Sequence, residues 1–301
     1  MRWKKVDGSG GIEDRRGESS MGGGLGGGGG MGGGGLGLPP LGKAGGGLGM
    51  VITLIVIALF LMNQCGGAGN GDSGLTPGLD PGPAADSTSA PPTGDTATEF
   101  TKFVNKDVQD YWQQVFTDSN KSYTRAPVVL FTGGTVSGCG TASSQTGPFY
   151  CPADNKVYLD LAFFNELSRR YGAPGDFAAA YVIAHELGHH VQDQLGIEAA
   201  VREKQQADPA NANKWSVALE LQADCFAGVW AYSAGKKGYL EPGDIEEGLG
   251  AAKAVGDDRL GARSKEQWTH GSSELRQKWF RTGYDTGDAG SCDTFSDVSS
   301  F

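Results

Sequence analysis

The chain has 301 residues, 51 of them glycine, and a formal net charge of −10. Met1 to Cys65 holds six Lys/Arg against four Asp/Glu, which leaves 19 basic and 31 acidic side chains downstream. That balance excludes a phosphate-tracking surface, because nucleic-acid affinity rests on Lys and Arg displacing counterions, so no nucleic acid is expected as a partner.

Between Met21 and Gly49, 18 of 29 residues are glycine and Lys43 is the only charge. Glycine loses the most backbone freedom on ordering and has no side chain to bury, so residues 1–43 read as a disordered Gly-rich arm. Gly37, Gly42 and Lys43 imitate a phosphate-binding loop, GxxxxGK. Ala44 stands where Ser or Thr would hold magnesium, Pro39 and Pro40 fill the loop, and no strand precedes it, so the match is rejected.

From Ala44 to Met62 the chain carries no charge, and Met50 to Met62 is almost wholly Leu, Ile, Val, Met and Phe. At a rise of 1.5 Å per residue such a segment spans about 28 Å, close to the roughly 30 Å hydrocarbon core, and predicts a transmembrane helix over residues 44–64. A buried core helix or a cleaved signal peptide fits less well, since flanking glycine offers nothing to pack against and no small-x-small site follows. Arg2, Lys4, Lys5, Arg15, Arg16 and Lys43 all precede the segment, and the next basic residue is Lys102. The positive-inside rule then places the N-terminus in the cytoplasm and the C-terminal part in the periplasm or outside the cell. Cys65 follows directly, but Leu61, Met62, Asn63 and Gln64 lack the small residues of a lipoprotein signal. Residues 65–98, rich in Gly, Pro, Ser, Thr and Asp, read as a flexible stalk, and 99–301 as one folded domain, long enough for a well-buried core.

Within that domain Ala126–Phe131 and Lys156–Leu161 carry strand patterns. The stretch Phe177–Gln192 reads as a helix in which His185 and His189, four apart, share one face and can converge on a metal ion. Glu186 sits beside the first ligand, completing HExxH: two imidazole ligands, zinc (Zn2+) as Lewis acid, and a carboxylate to take a proton from water. The extended HExxHxxGxxH form is absent, because positions 192 and 195 are Gln192 and Leu195. A third ligand is supplied by the apolar-periodic stretch Ser216–Trp230, where Glu220 and Asp224 are again four apart. Glu220 completes the metal site, and Asp224 accepts from the non-ligating nitrogen of His185. Unpaired carboxylates among Leu219, Leu221, Ala223 and Phe226 would otherwise be costly.

These residues resemble the gluzincin class of zinc peptidases, in which HExxH is followed by a helix bearing ExxxD. More closely, the chain resembles the bacterial putative neutral zinc metallopeptidase family, through Met1–Lys5, Glu13–Gly17, Gly147–Pro152, Ala180–Gln192, Glu220–Cys225, Gly256–Arg259 and Thr269–Ser272. The resemblance implies a helix-dominated α+β, zincin-like fold with the metal between two core helices and a short sheet lining the cleft. It also implies a zinc hydrolase, and suggests Val157–Leu161 as a strand that pairs with an extended substrate, against the alternative of an ordinary core strand.

An oxyanion donor is expected beside the metal, and His270, in a Gly/Ser-rich loop setting, is the candidate ahead of Tyr181. His190 lies one step off the ligand face and reads as a packing residue. Of four downstream cysteines, Cys139 with Cys151 would close a short loop, leaving Cys225 with Cys292 to tie the Glu220 helix to the C-terminal segment; no CxxC pair points to metal ligation. The reading is a membrane-anchored zinc peptidase, more specifically an endopeptidase, with Glu186 as general base and protein or peptide substrates. Its rivals are a catalytically silent zinc-stabilised interaction module of the cell envelope and a tethered binding protein, neither of which needs Glu186.

Overall fold

The structure is a computed structural model that describes residues 1–18 and 90–301. The glycine tract, the apolar stretch Ala44–Met62, Cys65 and most of the expected stalk lie outside the described residues. Among the described residues no helix is long and apolar enough to cross a membrane.

In chain order the elements are β1 (Ile12–Asp14), α1 (Gly94–Asp118), β2 (Val128–Phe131), β3 (Gly134–Ser137), β4 (Gly140–Ser143), β5 (Phe149–Cys151), β6 (Lys156–Asp160), α2 (Ala162–Arg169), α3 (Asp176–Gln194), α4 (Ile197–Ala207), α5 (Ala212–Lys236), α6 (Asp244–Ala254) and α7 (Ser273–Thr286). Short 3-10 turns join several of them. The fold is a helix-dominated α+β arrangement with a four-stranded sheet in the order β1-β2-β6-β5 and a β3–β4 hairpin.

Two expectations about the N-terminal third are corrected. α1 starts at Gly94 and buries Ala97, so the last residues of the 65–98 stalk belong to the domain. Ala97, Phe100, Val104, Val108 and Trp112 recur at helical spacing, and that apolar stripe is what fixes α1 on the core. The first 18 residues are not a detached arm either. β1 pairs in parallel with β2, Ile12 opposite Val128 and Asp14 opposite Leu130. Around that pairing, Trp3 meets Phe100 edge-on at 5.7 Å, Asn105 Nδ2 donates to Gly10 O at 2.7 Å, and Lys156 Nζ donates to Glu13 Oε2 at 2.7 Å. The pairing also conflicts with the expected orientation, because a strand in the cytoplasm cannot hydrogen-bond one lying beyond the bilayer.

The proposed substrate strand is only partly covered by its neighbours. β6 pairs with β2 from Val157 to Asp160 and, on its other side, with β5 only from Lys156 to Tyr158, so Val157 and Tyr158 are flanked on both sides while Leu159 and Asp160 are paired on one side alone, and Leu161 lies past the strand. Tyr158 and Leu159 are 1% exposed, as befits a central strand covered on both faces.

The core lies where α3, α5 and α7 pack, with Trp112, Trp230, Tyr181, Phe177 and Phe280 fully buried and Phe177 stacked on Trp230 at 5.9 Å. α5 and α7 touch backbone to backbone: a Cβ on Gly283 would lie 2.0 Å from Cys225 O, and one on Gly228 2.1 Å from Phe280 O. Both disulfides form with the expected pairing, Cys139–Cys151 and Cys225–Cys292, the second tying α5 to the C-terminal segment.

Candidate metal centre

α3 runs through the middle of the domain, which is why it is apolar almost all round rather than on one stripe. Its start is held by acids. A Cβ on Gly175, at φ +115°, would meet Glu247 Cδ at 2.0 Å, and Glu247 Oε2 accepts the Phe177 N–H at 3.0 Å. Asp176, Asp244 and Glu247 form a buried carboxylate cluster, and the Met1 ammonium lies among them, 2.6 Å from Asp176 Oδ1 and 3.3 Å from Asp244 Oδ1. Negative charge at a helix N-terminus meets the positive end of its dipole.

Two turns further on, the helix turns His185 and His189 to the same side, their rings 4.8 Å apart. α5 crosses close by, because Gly188 has no side chain: a Cβ there would stand 3.1 Å from Ala223 O. The close approach lets Glu220 reach both rings, Oε2 at 3.2 Å from His185 Nε2 and Oε1 at 3.4 Å from His189 Nε2. One ligand atom from each of the three residues falls within 4.8 Å of the others.

The other nitrogen of each ring is engaged. His185 Nδ1 lies 2.9 Å from Asp224 Oδ1, as expected for Asp224. Asp224 is fully buried and also accepts a hydrogen bond from the Tyr181 hydroxyl, which turns that proton toward Asp224. Arg276 of α7, which no sequence pattern singles out, donates from Nε to Asp224 Oδ2 at 2.8 Å and from Nη2 to Oδ1 at 2.9 Å. Nη2 is also 3.4 Å from both nitrogens of His185, so the guanidinium stands over the ring rather than in line with a lone pair. Burial disfavours the Asp224 carboxylate, but Arg276 and His185 outweigh that and hold its pKa below the usual range. Burial likewise opposes charge on His185, yet Asp224 and Glu220 push its pKa up to about 10 in the metal-free site.

On the second ring, His189 Nδ1 lies 2.8 Å from Gln192 Oε1. Glu186 is 9% exposed, and its carboxylate takes no hydrogen bond from any described residue, while its charge acts on His189. His270 reaches the site from the loop before α7. Its Nδ1 is 3.1 Å from Asp257 Oδ1, and Asp257 Oδ2 accepts the backbone N–H groups of Thr269, His270 and Gly271 at 2.7, 2.7 and 2.9 Å. Burial lowers the His270 pKa, but Asp257 and the nearby Glu220 raise it above the ordinary value. Asp257 lies in the Gly256–Arg259 motif, yet nothing in the motif itself assigns it this role. His190 is 1% exposed, between Tyr150 OH at 3.1 Å and Thr124 O at 2.6 Å, the packing position expected of it.

The donor set fits zinc: two imidazole Nε2 atoms and one carboxylate are a common three-ligand arrangement that leaves a coordination position open. Two imidazoles and a carboxylate converging from packed helices thus form a candidate metal site in a helix-dominated domain. The sequence profile described as "Putative neutral zinc metallopeptidase" matches residues 1–295, and the chain belongs to that family. It is 44% identical over 301 residues to "Uncharacterized protein YpfJ" of Escherichia coli (strain K12), covering 98% of this chain and 99% of the relative. It is 48% identical over 190 residues to "Uncharacterized protein Rv2575" of Mycobacterium tuberculosis (strain ATCC 25618 / H37Rv), covering 58% of this chain and 64% of the relative. No solved structure matches.

Proposed function

We propose that the protein is a zinc metallopeptidase, acting as an endopeptidase on protein or peptide substrates. The observation that carries this reading is the convergence of His185 Nε2, His189 Nε2 and the Glu220 carboxylate beside an unbonded Glu186. When bound, zinc supplies a Lewis acid that polarises a carbonyl and makes water more acidic. Glu186 is the general base: it takes the proton of the attacking water and passes it to the leaving amine. His270, oriented by Asp257, donates to the oxyanion that develops on the carbonyl. Asp224, locked by Arg276, holds His185 with Nε2 toward the metal.

The peptide-pairing role is given to β5, beside the residues of β6 past Tyr158 that β5 does not cover. β5 is a sheet edge, and Tyr150 on it is 3.1 Å from His190 Nδ1, one residue along from a ligand. Main-chain pairing there gives affinity with little sequence preference. Membrane association through residues 44–64 is part of the proposal, as a segment that enters and leaves the bilayer on one face rather than a single crossing, because the β1–β2 pairing keeps residues 1–18 and 90–301 on one side.

The test uses the full-length chain: zinc content by elemental analysis, and cleavage of an unstructured protein by wild type and Glu186→Gln. About one zinc per chain in both, with turnover only in the wild type and lost on chelation, is the expected result. Zinc in both without cleavage by either favours the silent interaction module, and a wild type that binds no zinc overturns the reading.

A further inference from the structure

The two imidazoles of the metal centre are supported by chemically different partners. His185 leans on an anion, Asp224, whereas His189 leans on a neutral amide, Gln192. An amide can present either its oxygen or its nitrogen, so its direction needs a cause.

Gln192 Nε2 lies 2.8 Å from the backbone oxygen of Leu219 and 3.0 Å from Gln222 Oε1. A carbonyl only accepts, so the nitrogen of the amide has to face Leu219. The oxygen must then face His189, and His189 Nδ1 must carry the ring proton. Gln222 repeats the logic one step out: its Nε2 donates to the backbone oxygen of Cys292 at 2.9 Å, which turns its Oε1 toward Gln192. Gln192 is 0% and Gln222 6% exposed, so water does not compete for these groups. Cys292 is itself fixed to α5 by the disulfide to Cys225.

We infer that Gln192 and Gln222 are positioning residues that pass the direction of two backbone carbonyls, Leu219 and Cys292, to His189, fixing its proton on Nδ1 and its lone pair on Nε2. The inference rests on the zinc reading above. It assigns to Gln192, at the position where the longer histidine motif would carry glycine, the task of preparing the second ligand before metal arrives. A pre-set tautomer spares the ring a proton shift and a rotation on binding, and partners of this kind are worth about 10–100-fold in metal affinity.

The experiment measures zinc affinity of the full-length chain by competition with a chromogenic chelator. Gln192→Leu removes the acceptor and is expected to weaken zinc binding about 10–100-fold. Gln192→Glu keeps an oxygen toward Nδ1 while losing the donor to Leu219, and is expected to stay within about threefold of wild type even though it is less stable. Equal zinc affinity in wild type and a folded Gln192→Leu overturns the inference, as does a Glu variant no better than Leu. A variant-free measurement stands beside these: nitrogen-15 NMR of the zinc-loaded wild type, tractable with four histidines. The assigned His189 ring is expected to be protonated at Nδ1, and protonation at Nε2 overturns the inference. If Gln192→Leu does not fold, that measurement decides. A wild type that binds no zinc would instead sink the metal reading on which all of this rests.

Discussion

Arg276 and Asp224 form a two-point ion pair inside the core, Nε to Oδ2 at 2.8 Å and Nη2 to Oδ1 at 2.9 Å, with their side chains 3% and 0% exposed. The pair joins α7 to α5 directly behind His185. Removing one partner strands the other charge without water. Arg276→Met is therefore expected to lose about 3–5 kcal/mol in urea unfolding of the zinc-free protein. Asp224 also sets a pH sign. Its folded pKa lies below the usual carboxylate value, so its stabilisation is present above the unfolded pKa and is lost as pH falls through the folded one. Acid unfolding of Arg276→Met should begin at higher pH than that of wild type, and an unchanged acid limb would refute the coupling.

Metal binding is expected to release protons. In the metal-free site the His185 pKa is raised to about 10, so the ring is protonated at neutral pH and must shed its proton to ligate. Apparent zinc affinity should rise with pH from neutrality toward about 10 and weaken on acidification. Calorimetric titration in buffers of different ionisation enthalpy reads the proton count, and a buffer-independent heat at pH 7 would contradict it.

The glycines of α5, α6 and α7 separate packing from propensity. Gly283→Ala drives a methyl to within 2.0 Å of Cys225 O, and is expected to cost at least about 1–3 kcal/mol by forcing α7 away from α5. Gly250→Ala sits within α6 where a Cβ meets nothing within 4 Å, and is expected to stabilise by about 0.4–1 kcal/mol. Thermal unfolding of the two variants should move the melting temperature in opposite directions.

Because β1 belongs to the same sheet as β2, residues 1–18 and the domain share one side of any membrane. In a Cys65→Ser background, single cysteines at the exposed positions Lys5 and Lys121 should react together, or be shielded together, toward a membrane-impermeant maleimide applied to intact cells. Labelling at one and protection at the other would break the shared sheet.

Much of the metal centre is legible because helical spacing is local information. His185 and His189, like Glu220 and Asp224, lie four apart, and once two apolar stretches are helices their faces follow. The disulfides are readable from an even cysteine count and one short loop. Arg276 and Asp257 are not, since a single Arg in an amphipathic helix and one Asp in a loop carry no periodicity, and their partners lie 52 and 13 residues away. β1 is three residues long and pairs with a strand more than a hundred residues downstream, so nothing in Ile12–Asp14 announces it. Whether a strand is central or at an edge is likewise a property of its neighbours, so the alternation of Lys156–Leu161 shows a strand but not which of its residues β5 covers.

The sheet's first strand has a practical consequence for anyone cutting the chain. A fragment beginning at Glu99 lacks β1, and with it the groups that meet the far side of β2: Gly11 O, which accepts the Val128 N–H at 2.9 Å, and the Arg15 N–H, which donates to Leu130 O at 2.8 Å. Val128, Val129, Leu130 and Phe131, none more than 1% exposed in the intact domain, would become an open apolar rim with unpaired backbone. Such a rim recruits copies of itself. A truncated chain that precipitates, or that shows little activity, would be reporting self-association rather than the competence of the proposed site.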